Sequence, residues 1–144
     1  MNAKTVGEII KDRDIYAVRK DQTVQEAVEK MVERNIGALP VLDGKRLVGI
    51  FSERDLMTRV VARGLDARRT KVGDVMTKEV VACEIGEGYD ACLARMQQHN
   101  CRHLPITSGH DVVGFISMRD LLLVDRDEKQ KEIEMLDLCL QSTL

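Results

Sequence analysis

Two short runs, Ser52-Glu53-Arg54-Asp55 and Ser117-Met118-Arg119-Asp120, carry residue types suited to holding a phosphorylated sugar. Each follows a glycine-containing apolar stretch and opens a segment of helical character. At such a junction, unpaired backbone N–H groups and the positive end of the helix dipole favour a phosphate ester. The serine hydroxyl would add a donor and the arginine a cation. The carboxylate, one turn along, would offer acceptors to the 2′- and 3′-hydroxyls of a ribose. Gly49 and Gly114, just upstream, leave the backbone open to close approach. The same Ser-x-x-Asp spacing is a capping box, in which the acid reaches back to the capping residue. The two roles can alternate, with the cap present when the ligand is absent.

Other chemistry is poorly supplied. The chain has no Ser/His/Asp or Cys/His arrangement, no H-E-x-x-H and no G-x-x-x-x-G-K-S/T loop, so no catalytic activity and no catalytic cofactor are expected. His99 and His103 stand four apart but straddle the end of a helical segment, and His110 falls in a turn, so no metal site is expected. Cys83, Cys92, Cys101 and Cys139 include no C-x-x-C pair, and three of them fall at positions patterned as apolar. They are expected to be reduced, small core residues in a cytoplasmic setting.

The elements that must position these residues come from an internal repeat. Shifting the chain by 65 residues aligns 14–57 with 79–122 without a gap and matches Ala17/Ala82, Met31/Met96, Asn35/Asn100, Leu39/Leu104, Pro40/Pro105, Gly44/Gly109, Val48/Val113, Gly49/Gly114, Ser52/Ser117, Arg54/Arg119, Asp55/Asp120 and Leu56/Leu121. Upstream, Val6-Gly7-Glu8-Ile9-Ile10 faces Val72-Gly73-Asp74-Val75-Met76. Within each copy, 15–18 or 80–83 reads as a short strand. Thr23-x-x-Glu26 opens a helix whose apolar residues Val24, Ala27, Val28, Met31 and Val32 recur at helical spacing. Two strands then join through Asp43-Gly44 or Ser108-Gly109, and a second helix begins at Ser52 or Ser117. The order is β-α-β-β-α, twice, in the α/β (α+β) class. The expected division is a first repeat at 1–62, a linker at 63–71, a second repeat at 72–124 and a separate amphipathic helix at 125–144. One copy buries too little surface to stand alone, so the two should pack sheet against sheet about a pseudo-two-fold.

Composition narrows the partners. Lys and Arg number 22 against 24 Asp and Glu, interspersed, which disfavours whole-protein attraction to nucleic acid or anionic membrane. Aromatic residues make up 3%, too few for a base-stacking surface. No apolar run is long enough to span a membrane, and the first residues carry mixed charge where a secretory leader would be apolar.

The repeated Leu-Pro-Val, Asp-Gly and Leu-Val-Gly-Ile-Phe-Ser-x-Arg-Asp-Leu pattern resembles the cystathionine-β-synthase (CBS) domain, and the tandem pair, from residue 6 to about 124, resembles a Bateman module. Val72-Gly73-Asp74-Val75-Met76-Thr77 is similar to the family's opening and Arg102-His103-Leu104-Pro105-Ile106 to its mid-unit strand. The resemblance implies a regulatory module, not an enzyme, that binds an adenine nucleotide: AMP first, with ATP, ADP and NAD(H) as further members of the class. It also implies a homodimer that signals to a regulated protein. One implied site combines Ser117, Arg119, Asp120 and the adjoining Ile116 with Lys11, Tyr16, Gly37 and Ala38. The other combines Ser52, Arg54 and Asp55 with Thr77, Val81, Arg102 and His103, and is expected to be the better phosphate site because Arg102 and His103 replace Gly37 and Ala38. The contrasting expectation is a structural dimer module with degenerate, empty clefts.

Overall fold

The computed structural model describes residues 4–143. Its regular elements are helix α1 (Val6–Ile10), strand β1 (Val18–Arg19), α2 (Val24–Arg34), β2 (Ala38–Asp43), β3 (Arg46–Ser52), α3 (Glu53–Asp55) running into a π-helical stretch (Leu56–Val61), α4 (Val72–Val75), β4 (Cys83–Glu84), α5 (Tyr89–His99), β5 (His103–Ser108), β6 (Asp111–Ser117) and α6 (Met118–Thr143). The α/β class and the repeated order are those expected.

Local chemistry sets most boundaries. Thr23 Oγ1 accepts from the Glu26 N–H and starts α2. Asn35 and Asn100 end α2 and α5 in the left-handed region, at φ 53° and 52°, which asparagine tolerates better than most residues. Gly44 and Gly109 supply the positive φ of the two hairpin turns. The strands read at 15–18 and 80–83 shrink to two residues each. Pro40 and Pro105 lack the N–H that a longer ladder would require, and parallel pairing begins at the next residue, Val18 with Val41 and Cys83 with Ile106.

The strands run in the order β1-β2-β3-β6-β5-β4, so the expected pair of sheets is joined into one six-stranded sheet. Within the sheet, β3 of the first half pairs with β6 of the second at Arg46 with Asp111. Two cores result, and each borrows from the other half. Val72, Val75 and Met76 pack with Val18, Val24, Met31, Leu39 and Phe51 of the first half. Val6 and Ile10 pack with Met96, Leu104, Ile106, Ile116 and Leu121 of the second. Each lead-in helix therefore closes the core of the opposite repeat. Gly49 and Gly114 permit this: a Cβ on Gly49 would strike Met76 and the Thr77 carbonyl, and one on Gly114 would strike Ile10. The close approach foreseen for a ligand is made by the chain itself.

Two further expectations change. α6 is one helix of 26 residues with no break near 125. Its first turns pack on α5, where the Tyr89 hydroxyl donates to Asp125 Oδ1 at 2.9 Å, whereas 129–142 are exposed along their whole length. Cys83 and Cys92, expected as free thiols, are joined as a disulfide between β4 and α5; Cys101 and Cys139 are free. Burial of both partners was legible from their apolar positions, but their adjacency depends on how α5 lies across β4.

Candidate functional site

A cleft of about 660 Å³ opens between the halves. Gly37, Ala38, Ile50, Ser52, Glu53 and Arg54 form its first-half wall; Thr77, Glu79, Val81 and the 99–104 segment form the other. Backbone bonds hold these pieces in place. Ile50 and Thr77 exchange N–H···O bonds of 2.9 and 2.8 Å, which seats 77–81 against β3. The Glu53 N–H donates to the Gly37 carbonyl at 2.9 Å, and the equivalent Met118 N–H donates to the Arg102 carbonyl at 2.7 Å, so each helix start is tied to the mouth of the preceding strand.

Ser52, Arg54, Thr77, Val81, Arg102 and His103 are thus brought together as the sequence suggested, and Gly37 and Ala38 join them instead of the Ser117 group. Asp55 does not line this cleft. It is 4% exposed, and its Oδ2 accepts from Ser52 N and Ser52 Oγ at 3.0 Å each, completing the capping box. Its Oδ1 accepts from Thr77 Oγ1 at 2.9 Å and faces Arg59 Nε at 3.6 Å. The cap is therefore the arrangement seen, and Asp55 also fastens the 77–81 wall to the helix start.

His103 stacks on Phe115, with ring centroids 5.4 Å apart. Burial pushes its pKa below the usual histidine value, with Arg102 pressing the same way and Asp120 and Glu53 opposing. It is therefore a neutral imidazole at pH 7, not the protonated donor that would strengthen a phosphate contact. Because the folded state disfavours the proton, the stability His103 contributes is present above its ordinary value near ~6.5 and is lost as pH falls through its lowered folded value. Arg102 is left as the permanent cation of that wall.

The symmetry-related position is arranged differently. Asp120 Oδ2 accepts from the Ser117 N–H at 2.9 Å, and Ser117 Oγ accepts from the Asp120 N–H at 3.1 Å, again a cap. Arg13 then grips both carboxylate oxygens, at 3.0 and 3.3 Å. Burial alone would raise the Asp120 pKa; the Arg13 and Ser117 bonds outweigh it and hold the carboxyl below the usual range. Ser117 and Arg119 face a second groove of about 640 Å³ with Asn35, Ile36, Leu122 and Leu123, and Arg102 and His103 border it as well. Lys11 and Tyr16 do not reach it. Lys11 is the exposed C-cap of α1, and the Tyr16 ring lies beneath the Arg34 guanidinium, 3.8 Å from its centroid. Ile116 is core, 1% exposed.

Spacing gave no sign of Arg13, because its contact spans 107 residues. Glu79, two residues from both Thr77 and Val81, lines the cleft with them and was not singled out by spacing. His99, exposed at the end of α5, borders the cleft with Asn100 and Cys101.

The CBS domain family matches residues 6–62 and 72–127, which together span most of the chain. The chain belongs to the CBS-domain family. It is 35% identical over 107 residues to the CBS domain-containing protein YhcV of Bacillus subtilis, covering 74% of this chain and 76% of that protein. A CBS-domain protein from Burkholderia ambifaria is 39% identical with a TM-score of 0.75, over 83% of this chain and 91% of that one. The CBS domain pair of MJ0100, solved with 5′-methylthioadenosine and S-adenosyl-L-methionine, shares the fold, with a TM-score of 0.76 at 20% identity over 88% of this chain and 99% of that one. The architecture described above is thus that of a pair of CBS domains. Among the described residues, no helix is long and apolar enough to cross a membrane.

Proposed function

We propose that this CBS pair is a cytoplasmic regulatory module that binds one adenine nucleotide, AMP, in the Ser52/Thr77/Arg102 cleft and passes its occupancy to a regulated protein. The observation that carries this reading is the cleft itself: about 660 Å³, within the range of small-molecule sites, with apolar walls at Ile50 and Val81 for a base and hydroxyl and guanidinium donors at Ser52, Thr77, Arg54 and Arg102. Displacing Asp55 Oδ2 from its cap would free it for ribose hydroxyls. Unfolding followed against a panel of AMP, ADP, ATP, NAD(H) and adenosine tests it. At 100 times its Kd, the bound ligand adds ~2.7 kcal/mol to stability. Calorimetry should give one site per chain, because Arg13 occupies the carboxylate of the other. The absence of a shift with any member would support the second reading, an interaction module with empty clefts. That reading draws on one observation: both carboxylates suited to ribose, Asp55 and Asp120, are already engaged within the chain.

The same proposal includes a homodimer. Val32, Met57, Val61, Leu122 and Leu123 are exposed on the helical faces, and Ile133, Met135, Leu136 and Leu138 are exposed along the free length of α6. Exposed apolar side chains gathered on these helices favour a covering partner. Light scattering at micromolar concentration should give twice the chain mass of 16.2 kDa, and a monomer mass would remove the dimer from the proposal.

A further inference from the structure

The bond between Cys83 and Cys92 lies where the repeat allows a direct comparison within one chain. The equivalent residues of the first half are Val18 and Ala27, which are as deeply buried, at 2% and 0%, as Cys83 and Cys92, at 1% and 0%. The fold therefore closes this contact without sulfur. What surrounds the pair also differs. In the first half, Lys30 Nζ donates to the Ala17 carbonyl at 2.7 Å. In the second, Arg95 takes the place of Lys30, and its Nη1 donates to the Ala82 carbonyl at 2.8 Å, to Cys83 Sγ at 3.2 Å and to Glu87 Oε2 at 2.8 Å, while Nη2 reaches Glu87 Oε1 at 2.6 Å. Glu87 fixes the guanidinium, and the guanidinium faces the sulfur. Its pull on a proton-free Cys83 opposes the penalty of burial.

The position is also one from which the cleft can be controlled. Cys83 lies two residues after Val81, and Cys92 is on α5, whose end at His99 leads into the 99–104 segment, so both cysteines adjoin the second-half wall of the cleft. β4 is the last strand of the sheet and pairs with β5 at only two positions.

We propose that Cys83 and Cys92 form a reversible dithiol–disulfide site, with Cys83 the attacking sulfur stabilised by Arg95, whose state sets how firmly the 77–83 wall is held. The co-reactant is a small disulfide such as oxidised glutathione. The Cys83 thiolate attacks one sulfur of the disulfide and expels the first thiolate. The Cys92 thiol then attacks Cys83 Sγ and expels the second. Cys83 and Cys92 lose two electrons and two protons together, and both appear in two molecules of the small thiol; a dithiol reductant reverses the sequence. Because both sulfurs are buried, exchange requires β4 to lift from β5, a local opening that such a short edge pairing permits. A metal ion held by Cys83, Glu87 and Cys92 is disfavoured, since the Arg95 cation already sits between the carboxylate and Cys83.

The test is a glutathione redox titration read by thiol alkylation and mass spectrometry. Of the four cysteines, two should remain alkylatable at the oxidised end and all four, once unfolded, at the reduced end. Arg95→Gln should move the pH midpoint of the reaction upward. Hydrogen exchange of residues 77–83 should speed up several-fold on reduction, and the double variant Cys83→Val with Cys92→Ala, which copies the first half and should fold, should show no redox response. Four free thiols throughout the titration, or one Zn²⁺ taken up by the reduced pair in place of the disulfide, would overturn the site. Equal exchange rates in the two states, or a redox response surviving in the double variant, would overturn its hold on the wall. None of these readouts depends on which ligand the cleft binds.

Discussion

Asp55→Ala should lower the stability of the protein by about 2–4 kcal/mol, several times the effect of Asp120→Ala. The sum has two parts: loss of the Asp55 arm of the capping box on the Ser52 N–H costs ~1 kcal/mol, and the half-buried Thr77 hydroxyl left without an acceptor costs ~1–3 kcal/mol more. At Asp120 the same cap is lost, but the other partner is a half-exposed arginine that returns to water. Arg13 is 44% exposed and Asp120 27%, against 6% for the Asp55 side chain, so solvent screens much of that pair. The expected cost there is about 1 kcal/mol or less. Urea unfolding of the two variants decides the matter. Equal losses would mean that Asp55 is not the brace between the helix start and the 77–81 wall.

Arg102→Ala should weaken AMP binding by roughly 10- to 100-fold while changing adenosine by less than about 3-fold. A hydrogen bond to a charged group contributes ~1.5–3 kcal/mol, and ~1.4 kcal/mol is a factor of ten. Only AMP presents the phosphate, so the selective loss identifies the contact. His103, held neutral by burial beside Phe115, cannot replace the missing charge at pH 7. Calorimetry with both ligands measures the difference. If adenosine weakens as much as AMP, Arg102 shapes the cleft and does not touch the phosphate.

Features of the fold carried by local chemistry could be read from the residues. Thr23 as a cap and Gly44 and Gly109 as turns each act within a few positions of themselves, and the repeat doubled the signal of the turns. The wall residues Thr77, Val81, Arg102 and His103 were reached through resemblance and lie together. What escaped was contact between distant segments: Arg13 on Asp120, the sulfur of Cys83 on that of Cys92, and Met76 beneath Gly49. The capping box shows the limit plainly. Ser-x-x-Asp spacing is compatible with ligand and with cap, and only the burial of Asp55 and its bond to Thr77 show which partner it holds in this arrangement.

The exchanged lead-in helices have a consequence for how the chain is made. Val6 and Ile10 leave the ribosome first but complete a core that cannot close until Leu121 has been synthesised, while Phe51 and Leu39 wait for Val72 and Met76. The first core can close once Met76 has emerged, whereas the second, which needs Val6 and Ile10, closes only after Leu121, so the two halves are completed in sequence. A nick in the exposed stretch near Gly64 should leave two fragments that stay bound to each other, since each carries the piece that seals the other's interior. Duplication of the repeat thus produced an interlocked pair, and a gene fragment encoding either copy alone would yield a chain with an unsealed core.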